Sequence, residues 1–178
     1  MIYTVEEALK PGHTDAVWDI WTSEMKPASK VLAVPGFNTA QRFKGLGLDP
    51  APSLALYSID SADVMTSKRY FDNGGGKLGS PKWGEHLSFW HRNLFEGLDE
   101  APEVADDARL LVIDTASPDV HLEGLTITWL KGVGLDRTTP YRGLVIVDQA
   151  TADNYLRAPH PQVRVFVARM RRLLASHS

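Results

Sequence analysis

The chain has 178 residues, is 43% hydrophobic and 23% charged, and carries a formal net charge of -3. That composition belongs to a globular protein with room for one large domain or two small repeats, and it argues against disorder. There is no cysteine, which excludes a disulfide framework, a thiolate zinc site and a cysteine nucleophile.

In chain order, Met1–Leu9 is rich in β-formers and partly alternating, and predicts a strand. Its glutamates, Glu6 and Glu7, stand where a leader would be apolar. No apolar run approaches the roughly 20 residues of a membrane span, so the expected location is the cytoplasm. Pro11-Gly12 ends the strand, and Thr14 is an N-cap candidate for a helix from Asp15 carrying Val17, Ile20 and Trp21. Pro27 kinks or restarts that helix. Phe37–Lys44 and Ser53–Asp60 predict the next two strands, and Asp60 or Ser61 caps a short helix through Met65 to Tyr70. Asn73–Gly79 is glycine-rich and reads as loop; it lacks the Gly-Lys-Ser/Thr ending of a phosphate cradle. Gly84–Leu98 predicts a helix with Leu87, Trp90 or His91, Leu94 and Leu98 as its apolar stripe. Acidic Asp99–Asp107 reads as a linker. Strands follow at Arg109–Ala116, Leu125–Val133 and Tyr141–Gln149, the last two as an antiparallel hairpin. Thr151–Leu156 is a short helix, and Pro161–Ala175 predicts a final one with Val163, Phe166, Val167, Met170 and Leu174 on one side. Its arginines Arg164, Arg169, Arg171 and Arg172 read as a solvated face rather than a nucleic-acid contact.

Strands and helices thus recur in nearly one order twice, about 90 residues apart. The expectation is an α+β protein with antiparallel sheets, divided into a first unit at 1–98, a linker at 99–107 and a degenerate second unit at 108–178.

The segment AVPGFNTAQRFKG (Ala33–Gly45) followed by SLALYSID (Ser53–Asp60) resembles the dimeric α+β barrel superfamily, in particular its EthD-like members. PKWGEHLSFWHRNLF (Pro81–Phe95) is similar to their tryptophan-bearing closing helix, and YLRAPHPQVRVFV (Tyr155–Val167) carries a weaker likeness into the second half. The resemblance implies ferredoxin-like units whose sheets pair into a barrel, either with a second chain as a homodimer or with the second half of this one, and a pocket between helices and sheet. It also implies a choice among cofactor-independent oxygenation, polyketide cyclisation, lactone isomerisation and haem chemistry. Where such proteins carry a Glu-His pair after an aromatic-rich helix, this chain has Glu24-Met25, so an imidazole must come from elsewhere.

His86 and His91 are the candidates. On a helix, their spacing of five puts them about 140° apart, too far for a shared metal. His86 would share a face with Phe89, Trp90 and Asn93, as a general base in an apolar pocket or as a half-buried histidine packed on Trp90. His91 is a base or a core histidine. Glu24 is a further acid or base and a partner for Arg42. Arg92, Arg42 and Asn93 can steady an enolate or phenolate, although such arginines are more often surface ion pairs. Trp18, Trp21, Trp83 and Trp90, with Tyr57, suit a flat aromatic ligand, while core filling explains any one of them alone.

The expected function is a cofactor-independent enzyme acting by proton transfer on a small aromatic or polyketide-like molecule. Isomerase, cyclase, decarboxylase and monooxygenase chemistries stay open. The alternatives are a non-catalytic binding or assembly protein and a haem-binding barrel. Neither a nucleic acid nor a membrane is an expected partner.

Overall fold

The computed structural model describes residues 1–73, 75–76 and 81–176, with the side chains of Glu24, Met25, Pro81 and Lys82 outside that description. Four strands come from the first half: β1 (Ile2–Leu9), β2 (Phe37–Leu46), β3 (Ser53–Ile59) and β4 (Leu87–Glu96). Four more come from the second: β5 (Ala108–Thr115), β6 (Thr128–Leu135), β7 (Tyr141–Asp148) and β8 (Val163–Ala168). A two-residue strand, β9 (Leu173–Leu174), adds to the edge of β2.

All pairings are antiparallel, and they close on themselves. Around the ring the order is β1-β4-β6-β7-β5-β8-β2-β3 and back to β1. One chain therefore completes an eight-stranded barrel, which leaves no long open edge. The first four strands stand as β4-β1-β3-β2 and the last four as β8-β5-β7-β6, one permutation used twice. The quartets join where β4 meets β6 and where β2 meets β8.

The barrel interior is packed: Ile2, Phe43, Leu56, Phe95, Leu110 and Phe166 are among its fully buried side chains. Segment 99–107 contributes Ala101 and Val104 to that core. It is tied there by Ala101 N–H donating to Ser58 Oγ (2.8 Å) and by a two-way exchange between Val104 and the Gln41 side chain. Outside the barrel, α1 (Ala16–Met25), α2 (Pro27–Leu32), a 3-10 turn (Ala62–Thr66), α3 (Lys68–Asp72) and α4 (Pro81–Gly84) belong to the first quartet. The second has α5 (Gln149–Arg157), capped by the Asp148 carboxylate, which accepts from Thr151 N–H and is held below its ordinary pKa by those Thr151 bonds. No helix among the described residues is long and apolar enough to cross a membrane.

Two predicted helices are strands. Leu87–Glu96 pairs with β1 and β6, so its side chains alternate: Phe89, His91, Asn93 and Phe95 turn to the barrel interior, and Trp90, Arg92 and Leu94 to the outside. The face proposed for His86, Phe89, Trp90 and Asn93 therefore does not exist. Pro161–Ala175 is β8 and β9, and three of its four arginines are paired rather than merely solvated: Arg164 with Glu6 and Asp114, Arg169 with Asp15 and Asp19, Arg172 with Glu100 and Glu103, while Arg171, beside Asp106, stays exposed. Most of the Asn73–Gly79 loop lies outside the described residues. Asp60 caps no helix; its carboxylate accepts from Asn38 Nδ2 at 2.7 Å.

Gly97, just past β4, has φ +120°, and a Cβ there would lie 2.6 Å from the Trp129 carbonyl oxygen. Gly97→Ala combines a strained backbone, worth roughly 1–3 kcal/mol, with a backbone clash at the β4–β6 seam. Urea denaturation is expected to show a loss of at least that size; an unchanged midpoint would show that the seam yields.

Candidate active site

The site grows from the outward face of the first quartet. On β1 this face carries Tyr3, Val5, Glu7 and Leu9; on β3, Ser53, Ala55 and Tyr57; on β2, Ala40, Arg42 and Lys44. Helix α1 lies over it because Trp18 and Trp21, three residues apart, share the buried side of the helix. Their rings meet edge to face at 5.8 Å, and Trp83 from α4 joins the same cluster with Leu9.

Beneath them lies a charged pair that the sequence did not reveal. Glu7 is 1% exposed. Arg42 Nη2 donates to Glu7 Oε1 at 2.8 Å and to Ser53 Oγ at 3.0 Å, and its guanidinium sits 4.5 Å from the Trp21 ring centre. Burial raises the Glu7 carboxyl above its ordinary pKa, with Arg42 pulling the other way. The expected partner for Arg42 was Glu24, whose side chain lies outside the described residues; the partner found is Glu7. Tyr57 is also buried, and its phenol is raised for that reason.

His86 stands in the turn before β4, where its carbonyl accepts from Lys10 N–H at 2.8 Å. Its ring meets His13 at 4.9 Å, nearly perpendicular, and lies 6.2 Å from Trp83. His86 lines one space and His13 another. Inward is a chamber of about 10 Å³ lined by Glu7, Leu9, Val17, Trp18, Trp21, Trp83, His86 and Leu87. Outward is an open cleft of about 460 Å³ whose walls include Leu9, His13, Asp15, Lys44 and residues 45–51. The chamber has room for about one water molecule. The cleft is within the range of small-molecule sites, roughly 300–1,000 Å³. Lys44, the cation of the cleft, is paired with Asp15.

The remaining candidates lie elsewhere. Arg92 is five residues beyond Leu87, about 17 Å along the strand. It stacks on Trp90 at 4.7 Å, its Nε is buried without a hydrogen-bond partner among the described residues, and its charge acts on Tyr3. Tyr3 and Tyr70 share a hydroxyl contact of 3.2 Å, and burial raises the Tyr3 phenol. His91 faces the barrel interior and stacks on Phe89 at 4.8 Å. Asn93 is committed to structure: its amide donates to Thr138 Oγ1 at 3.0 Å and accepts from Thr138 N–H at 2.8 Å.

The site thus joins Trp18, Trp21, Trp83, His86 and Arg42, leaves Trp90 and Arg92 to a second cluster, and gives His91 and Asn93 to the barrel. Sequence reading missed Glu7, His13 and Lys44. A signal existed for Glu7: in IYTVEEAL two adjacent acids interrupt an otherwise apolar strand, and alternation sends one to each face. Nothing marked His13, whose approach to His86 spans 73 residues of chain. No cluster of three or more potential metal ligands occurs among the described residues.

No family model matches the chain, and no curated protein matches it in sequence. Among solved structures, an anthrone oxidase-like protein superposes with a TM-score of 0.64 at 14% identity, covering 99% of this chain and 94% of that one. A candidate monooxygenase from Lactobacillus acidophilus NCFM does so with a TM-score of 0.51 at 8% identity, covering 98% and 96%. At such identities the likeness shows the fold alone. The chain shares its barrel fold with both.

Proposed function

We propose that the chain is a cytoplasmic oxygenase or oxidase of small aromatic, polyketide-like molecules that works without metal or organic cofactor. The observation that carries this reading is the His13–His86 contact, in which His13 lines a ligand-sized cleft and His86 an indole-lined chamber. The neighbours' names, anthrone oxidase-like and monooxygenase, narrow the proton-transfer chemistries to those using dioxygen. The shared strand order of the quartets supports two tandem ferredoxin-like units, and the EthD-like assignment belongs to the same reading. Since one chain closes the barrel, self-association is not needed to build this site; a homodimer is a separate proposal that light scattering decides.

A flat substrate lies in the cleft against Leu9, Leu46 and Leu48, with an activated methylene at His13. His13, the imidazole that lines the cleft, removes a proton from that carbon and passes it to His86 beside it. Lys44 steadies the resulting enolate or phenolate. The carbanion's electrons pass to dioxygen. Conversion of CH2 to C=O is a four-electron oxidation, so one oxygen atom enters the product and the other leaves as water. No external reductant is required.

The test is oxygen uptake by metal-stripped protein with a panel of anthrones and naphthols. His13→Ala and His86→Ala are each expected to lower kcat about a hundredfold or more. Undiminished turnover in either variant defeats the assignment. The smallness of the inner chamber favours a second reading, a non-catalytic carrier using only the cleft. It predicts that the same compounds raise the Tm without oxygen uptake.

A further inference from the structure

Trp18 is 3% exposed, yet its Nε1–H has no hydrogen-bond partner among the described residues. A buried donor left unmade costs free energy, and native proteins rarely leave one so. Trp18 also lines the about 10 Å³ chamber, together with Glu7 and His86. Glu7 spends Oε1 on Arg42, and no described group donates to Oε2. A space that size excludes an aromatic ring. It suits one water, which needs about 10–15 Å³ and two to four polar partners.

We propose that the chamber holds one ordered water that accepts from Trp18 Nε1–H and donates to the Glu7 carboxylate, and that through it Glu7 takes up the proton His86 receives in turnover. The proton balance is closed. Protonated His86 donates its N–H proton to the water oxygen as a water proton passes to Glu7, leaving neutral imidazole, water and a neutral carboxylic acid. The groups facing Glu7 suit this role. Arg42, itself anchored on Ser53 Oγ, holds the carboxylate in place, the indoles of Trp18 and Trp21 keep bulk water out, and burial already favours the protonated acid. Glu7 is then a positioning residue one water removed from His86, and the relay step rests on the oxygenase reading above. The hydration of the chamber does not.

The test separates the two. In wild-type protein, a water-selective NOE to the Trp18 indole N–H is expected, and carbon-13 labelled Glu7 is expected to titrate above the ordinary carboxylate range. Trp18→Phe keeps a ring and removes the donor; it should move the Glu7 titration further upward, because the carboxylate loses its hydrated partner. Absence of the NOE in wild-type protein overturns the water, whether or not Trp18→Phe folds. With a substrate in hand, Glu7→Gln should lower kcat about a hundredfold with KM held, while the Trp18 NOE persists. Unchanged kcat overturns the relay. An NOE in a protein that turns over no substrate overturns the relay and the oxygenase reading and leaves the hydrated chamber standing.

Discussion

Replacing Arg142 with methionine is expected to cost about 3–5 kcal/mol, the usual penalty for stripping one partner from a buried ion cluster. Arg142 is 2% exposed and lies inside the barrel. Its Nε and Nη2 grip both oxygens of Asp114 at 2.7 and 2.9 Å, and Nη2 reaches Glu6 Oε2 at 3.1 Å. Its guanidinium stands 5.3 Å from the Phe95 ring centre. Arg164 pairs with the same two acids, so two cations offset two carboxylates. Without Arg142, the acids drawn in from opposite halves of the chain share one partly exposed arginine. Urea denaturation measures the loss, and Glu6→Gln in the same background should recover part of it because the surplus negative charge is gone. A single-variant loss below about 1 kcal/mol would place this cluster among weak surface pairs. Burial alone would raise the Asp114 pKa, but Arg142 and Arg164 outweigh it and hold the carboxyl below its ordinary 3.8. A depressed carboxylate contributes stability that is present above the unfolded value and lost as pH falls through the folded one. The Arg142→Met deficit should therefore hold from neutral pH down to about 4 and shrink only below it.

The same cluster explains what could be read from the sequence and what could not. Strands such as Ser53–Ile59 and Tyr141–Asp148 were legible because β-branched and aromatic residues run between clear turn signals. Leu87–Glu96 was not. It is covered on one face by the barrel core and half covered on the other, so it lacks the polar alternation of a half-wet strand, and its leucines happen to fall at helical spacing. Val163–Ala168 offered a better clue, since valines at 163, 165 and 167 alternate with Arg164, Phe166 and Ala168; reading on to Met170 and Leu174 blurred it. For the site, the indoles were recognisable as a group, because Trp18 and Trp21 share a helix face. The charged partners were not, because the links from Glu7 to Arg42 and from Glu6 to Arg142 are set by register and barrel closure, which no local spacing encodes.

Arg42→Met should cost a similar amount at neutral pH, about 3–5 kcal/mol, but with the opposite pH signature. Glu7 is enclosed on the outer face of the sheet, with Arg42 its one cationic hydrogen-bond partner among the described residues. Burial raises its carboxyl above 4.5 even with Arg42 present. Such a group favours the folded state at low pH, and that contribution is lost as pH rises from the unfolded value through the folded one. Methionine keeps contact with Trp21 but removes the charge, so the folded pKa climbs further. At pH 4.5, its ordinary value, a raised Glu7 is more than half protonated in both proteins, and the deficit is smallest toward acid. Above that, wild-type Glu7 ionises beside its arginine while the variant must hold an unpaired carboxylate or keep its proton, and the deficit grows. Urea denaturation at pH 4.5 and pH 8 should therefore show a gap that widens toward alkali for Arg42→Met and stays level for Arg142→Met. Equal deficits for Arg42→Met at the two pH values would mean that Glu7 ionises without help, and the case for it as a proton acceptor behind His86 would fall with that result.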